Sequence, residues 1–165
     1  MKLLNKVLLI ILLLILQTAN GESAQKADGV LVIKSEKRLY LMDKGERFVS
    51  FHVTFGAEHV GHKQMKGDER TPEGHYKLTY KNPKSKFYKS IHISYPNARD
   101  RENARRLGVD PGGDIMIHGL GKDWEWAESL APFFSWTNGC IALSNRDIDL
   151  VWEAVDPGTP IEIRP

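Results

Sequence analysis

One cysteine, Cys140, ends the run Ser-Trp-Thr-Asn-Gly-Cys and begins Cys-Ile-Ala-Leu; a histidine, His118, stands upstream in Ile-His-Gly. A thiol with a histidine elsewhere in the chain is a candidate nucleophile and base. Acyl transfer by cysteine needs a thiolate, a proton acceptor and hydrogen-bond donors for the tetrahedral oxyanion. A free thiol titrates near about pH 8.5, so a neighbouring histidine or helix N-terminus must activate it. His118 would take that proton and later return it to a leaving amine. Gly139 lets the backbone expose an N–H beside the nucleophile, which makes the N–H groups of Asn138, Gly139 and Cys140 the oxyanion candidates. Thr137 can steady the turn through its hydroxyl. A free cysteine is otherwise among the most buried residue types; the Gly-Cys turn together with the His-Gly is what turns the reading toward chemistry.

Between the two lie Trp124, Trp126, Phe133, Phe134 and Trp136, which include three of the four tryptophans in the chain. Such a loop either walls off water and grips a peptide or forms a small satellite core. Phe133 and Phe134 are expected in packing, whereas Trp124 and Trp136 are equally suited to hold substrate. His52, His59 and His62 match no zinc-ligand spacing and there is no second cysteine, so neither metal nor cofactor is expected and the histidines read as solvated. Arg99, Arg101, Arg105 and Arg106 read as the solvated face of a helix.

The elements that must position this pair are mostly strands. Residues 30–34 (Val-Leu-Val-Ile-Lys) and 39–42 (Leu-Tyr-Leu-Met) are strands joined by a turn, and residues 47–55 alternate with period two. A loop at 56–70 leads to Thr71-Pro72-Glu73-Gly74, where Pro and Gly fix a turn. Strands are expected at 75–80 and 87–95. A polar, Arg-rich helix should run over 97–107 and stop at Gly108. The strand 115–118 delivers His118. After Cys140, Ser144 with Asp147 signals a helix N-cap, the helix ends at Asp156-Pro157-Gly158, and 159–163 is a closing strand. Many short strands with one or two short helices argue for a mainly-β sandwich or barrel.

A chain of 165 residues is one domain's worth. Residues 1–21 read as a signal peptide or an uncleaved N-terminal anchor: Lys2 and Lys6 precede the apolar run 7–16, which is short of the about 20 residues a spanning helix needs. Residues 22–29 are a polar linker. The formal charge of +2 includes both leader lysines, so the rest is close to neutral; a nucleic-acid partner would need a basic face, of which the overall balance gives no hint, and none is expected. Any membrane contact would come from the N-terminal segment alone, and a monomer is expected.

An Ile-His-Gly, a loop, then Ser-Trp-Thr-Asn-Gly-Cys-Ile-Ala-Leu resembles the L,D-transpeptidase (YkuD-type) catalytic domain of bacterial cell-wall enzymes. The family pattern is His-Gly, a spacer, then Ser/Thr-x-Gly-Cys with an apolar residue and usually an arginine. Thr137, Gly139, Cys140 and Ile141 match; Ala142 stands where the arginine is expected. The opening strands and the Thr-Pro-x-Gly turn add a less specific likeness. The resemblance covers residues 30–165 and implies an L,D-transpeptidase-like β-sandwich or barrel. It implies Cys140 as nucleophile and His118 as base, with a backbone carbonyl orienting the imidazole in the close turn that Gly119 permits. The implied substrates are peptidoglycan stem peptides, met in the periplasm or cell envelope. Cys140 would attack the carbonyl of the third stem residue, release the terminal D-alanine and pass the acyl group to an amine.

The vacant arginine role could fall to Arg70 or Arg146. Residue 142 should face the same way as Cys140, because side chains alternate along an extended segment, and alanine there should leave extra room. Two other readings compete. The acyl group could go to water, making a hydrolase. Alternatively the domain could bind the wall without catalysis, against which intact His118, Gly139 and Cys140 argue.

Overall fold

The computed structural model describes residues 25–121 and 135–165. Strands β1 (Gly29–Ile33), β2 (Arg38–Asp43) and β3 (Glu46–His52) form the expected antiparallel meander. β4 (Gly74–Ser85) and β5 (Tyr88–Ile93) form a long hairpin. Helix α1 (Ala98–Leu107) precedes β6 (Met116–His118) and β7 (Ile141–Ala142); helix α2 (Asn145–Ala154) precedes β8 (Pro160–Arg164). The strand order is β3-β2-β1-β8-β4-β5-β6-β7, so the last strand enters the middle of the sheet, parallel to β1. That central position explains why Val30, Leu31 and Val32 are buried in succession, where β2 merely alternates buried Leu39 and Leu41 with half-buried residues.

The sheet's two outer strands meet. Thr54, just past β3, exchanges two backbone hydrogen bonds of 2.9 Å with Ala142 in β7. The mainly-β expectation therefore holds in its barrel-like form, with few free edges. Inside sit Phe55, Leu78, Ile91, Ile117, Ile141 and Ile148, all nearly inaccessible, each stabilising the fold by about 1.5–3 kcal/mol.

The stop of α1 at Gly108 and the start of α2 at Ser144 lie where the sequence predicts them, whereas Asn97, expected within the first helix, caps it. Asn97 Oδ1 accepts from the N–H of Arg99 and Asp100, and Asp100 returns a bond to the Asn97 N–H, a reciprocal cap. Gly108 closes α1 in the left-handed region at φ 69°. The four arginines of this stretch are solvent-exposed. Ser144 Oγ accepts from the Asp147 N–H at 3.0 Å and starts α2, which buries Ile148, Val151 and Ala154.

Strand limits differ where polarity hides them. β4 continues to Ser85 instead of stopping at Tyr80, because its last turn of the hairpin is polar and interrupted by register shifts. β3 stops at His52; beyond it the Val53 N–H donates to the Lys37 carbonyl and Thr54 pairs with Ala142. The Trp-rich loop (122–134), with Trp124, Trp126, Phe133 and Phe134, and the leader (1–24) lie outside the described residues. Among the described residues no helix is long and apolar enough to cross a membrane.

Candidate active site

β6 and β7 run parallel and side by side, with Ile117 opposite Ile141 and His118 opposite Ala142. Register partners share a face, and alternate residues return to it. Cys140 immediately precedes β7 and His118 ends β6, so the parallel pairing brings their two segments side by side. The extended segment expected after the Cys turn is β7.

His118 is buried, at 2 % exposure. Its Nδ1 lies 2.7 Å from the carbonyl oxygen of Gly119. A carbonyl can only accept, so Nδ1 carries the proton and Nε2 is left as the basic nitrogen. The backbone carbonyl that the sequence could not identify is that of Gly119. A side chain at 119 would meet Asn145 Oδ1 at 2.6 Å, and that oxygen accepts from the Leu120 N–H at 2.7 Å. The first residue of α2 thus pins the turn after His118. Phe87 stacks on the imidazole with centroids 4.5 Å apart, and half-buried Trp136 meets it edge-on at 5.5 Å.

The Gly-Cys turn is clamped from two sides. Thr137 is buried, and its hydroxyl donates to the Cys140 carbonyl at 2.7 Å. Gly139 has φ 101°, and a Cβ there would stand 2.4 Å from the Arg70 carbonyl; both facts require glycine. The Thr71 hydroxyl donates to the Gly139 carbonyl at 3.0 Å. Thr71 is in turn held by Lys34, whose buried ammonium donates to the carbonyls of Gly61 and Thr71 and pairs with Glu73 at 2.7 Å. Asn138 is exposed on the turn.

The half-buried Cys140 thiol donates to the Asp114 carbonyl at 3.6 Å. Burial pushes the thiol above its ordinary value, opposed by the Met116 backbone and by the charges of Lys63 and Lys86. Burial also drives the His118 imidazole down to about 4, with the Gly119 carbonyl working against it and the Lys86 charge reinforcing it. The resting site is therefore a neutral thiol and a neutral imidazole, where the sequence suggested a thiolate already activated.

Other predicted positions fall differently. Arg70 contributes its backbone to the Gly139 turn, while its guanidinium extends toward Gly61. Arg146 is exposed in the first turn of α2. Ala142 is 3 % exposed, and the space beside it, lined by His52, Thr54, Leu120 and Trp136 among others, is about 10 Å³. The roomier pocket expected there is absent because the Thr54 bridge closes over it. His62 is no solvated loop histidine: Nδ1 accepts from the Glu73 N–H at 2.9 Å and Nε2 lies 3.2 Å from Asp100. Phe87, Asn145 and the Asp114 carbonyl had no sequence signal, since only folding brings them to the pair. Thr71 did have one, in its Thr-Pro-x-Gly turn.

Comparison with known proteins agrees with this geometry. The model of the YkuD L,D-transpeptidase catalytic domain matches residues 27–163. The Escherichia coli K12 protein named "Putative L,D-transpeptidase YafK" is 30% identical over 132 residues, 76% of this chain and 46% of that protein. The chain thus spans about half the length of the curated relatives it matches. Among solved structures, the helical cell shape determining protein Pgp2 of Campylobacter jejuni superposes with TM-score 0.59 and 25% identity, over 87% of this chain and 51% of that one. The L,D-transpeptidase of Xylanimonas cellulosilytica gives 0.54 at 13% identity, over 84% and 61%, a likeness of fold. Taken with the match over residues 27–163, this chain belongs to the YkuD family of L,D-transpeptidase catalytic domains.

Proposed function

We propose that the chain is an exported, cysteine-dependent L,D-transpeptidase acting on peptidoglycan stem tetrapeptides, with Cys140 as nucleophile and His118 as base. The observation that supports this reading is the pairing of β6 with β7, whose register sets His118, its tautomer fixed by the Gly119 carbonyl, opposite Ala142, two residues past Cys140. Family membership and the likeness to a helical cell shape determining protein support a wall substrate.

In the first half-reaction Nε2 of His118 removes the Cys140 proton as sulfur bonds to the carbonyl carbon of the third stem residue. The oxyanion is held by backbone N–H groups drawn from Asn138, Gly139 and Cys140. Collapse breaks the C–N bond, and Nε2 gives its proton to the departing amine of D-alanine, leaving a thioester. An acceptor amine then attacks, His118 takes its proton, and sulfur leaves with that proton restored. Neutral partners at rest suit this scheme, because the proton moves only as the S–C bond forms.

A second reading, transfer to water, is favoured by Ala142: no arginine side chain stands two residues after the cysteine to help hold an acceptor stem. Purified muropeptides incubated with the protein and weighed by mass spectrometry decide the matter. Crosslinked or exchanged products support transfer; tripeptides and free D-alanine alone support hydrolysis. Persistence of either activity in Cys140→Ala would overturn both. A carbapenem adduct on Cys140, read as a mass increment, is the expected corroboration.

A further inference from the structure

We propose that Lys86 is the cation that receives the C-terminal carboxylate of the peptide whose bond Cys140 breaks, taking the place left by Ala142; this rests on the function proposed above. Lys86 lies between β4 and β5, one residue before Phe87. Its ammonium lies over the Phe87 ring, 4.9 Å from the centroid, and Phe87 itself stacks on His118. The Lys86 carbonyl closes on the far end of the same turn, 3.1 Å from where a Cβ on Gly121 would be. The Lys86 charge acts on both His118 and Cys140.

The chemistry says where a carboxylate must sit. His118 has to deliver a proton to the leaving amine, so the departing residue lies on the imidazole side of the nucleophile. In an α-amino acid the carboxyl carbon is about 2.5 Å from that nitrogen across one Cα. A free C-terminal carboxylate is thus carried to the Phe87–His118 side of the site, where an exposed ammonium on a flexible stem is available.

The other cations fit less well. Lys63 also acts on Cys140, but it is buried and bound to Asp68 at 2.7 Å and to the Met65 carbonyl. Lys34 is buried against Glu73. Arg70 turns toward Gly61. Asp114 is the described acidic group whose charge acts on Cys140, and its influence opposes an anion there; a cation on the imidazole side offsets it.

The test uses the full chain and two synthetic stem tetrapeptides, one ending in a free carboxylate and one in its amide. Binding is measured by calorimetry in a Cys140→Ala background, so the readout survives even if turnover on these peptides proves absent. We expect the carboxylate peptide to bind about tenfold more tightly than the amide, as one charge-assisted hydrogen bond predicts. Lys86→Met should erase that preference, Lys86→Arg should keep it, and Lys86→Glu should reverse it. The preference should also fade with added salt. With Cys140 intact, Lys86→Met should lower kcat/KM for the carboxylate donor alone, by the same factor. Equal effects of Lys86→Met on both peptides, no effect on either, or no binding of either would overturn the proposal. Loss of all turnover with the binding preference intact would instead count against the function proposed above.

Discussion

At the scale of single residues, His118 ties stability to pH. An unfolded chain protonates this imidazole near about 6.5, whereas the folded one resists until about 4. Because the folded pKa of a base is depressed, its contribution is complete above 6.5 and is lost as pH falls toward 4. The cost amounts to about 3 kcal/mol. Urea unfolding of the protein and of His118→Gln across that interval should show a shallower decline in the variant; parallel slopes would mean that the imidazole is not held neutral. His52 and His92 are also lowered by burial and contribute to the background slope in both proteins. Gly139 makes a second residue-scale case. Gly139→Ala combines a positive φ with a backbone oxygen 2.4 Å from the new carbon. A loss of at least about 2–3 kcal/mol is expected, together with activity, and normal behaviour would show that the turn can relax without consequence.

Elements act here mainly by holding loops. The β7 face would be useless if the turn ahead of it, or the turn after His118, were loose, and three separate segments fix these two turns. The loop before β4 supplies Thr71, the N-terminal residue of α2 supplies Asn145, and β1 leads to Lys34 behind Thr71. Thr71→Val removes one donor and leaves a buried carbonyl unmet, which costs about 1–3 kcal/mol. The effect on turnover should exceed the effect on folding, because the freed carbonyl belongs to the residue before the nucleophile. Thr71→Ser should restore both. Measuring kcat beside the thermal midpoint separates these outcomes, and a drop in midpoint with kcat unchanged would make the clamp purely structural.

Across the whole molecule, closure of the sheet determines what residue 142 can be. Its side chain lies in the seam where the end of β3 meets β7, with about 10 Å³ beside it. That is about the space of one water. An arginine there would be an uncompensated charge in a closed seam, a situation worth about 3–5 kcal/mol. Ala142→Arg should therefore unfold at markedly lower denaturant and gain no transferase activity. A stable Ala142→Arg protein with faster transfer would show that the seam opens. Arg70 covers Gly139 with its main chain while its side chain extends toward Gly61.

Most of the fold was legible because its signals are local. Period-two alternation marks β3, the Ser144 cap and the Gly108 stop mark the helices, and the run at 30–34 marks β1. The polar extension of β4 carried no such signal, and neither did the end of β3, where alternation runs on past the last residue paired with β2. For the site, the sequence by itself determined the candidate pair and the glycine beside it, since a lone thiol, a histidine and a tight turn are properties of residue type. Only the tertiary structure decided the tautomer of His118, the neutral resting state of the thiol and imidazole, and the closed space at Ala142. Those depend on which carbonyl, ring and strand come to lie against a residue, and on how much water they displace. A parallel pairing between β6 and β7, formed across a long loop, brings that about without leaving a mark on the local sequence.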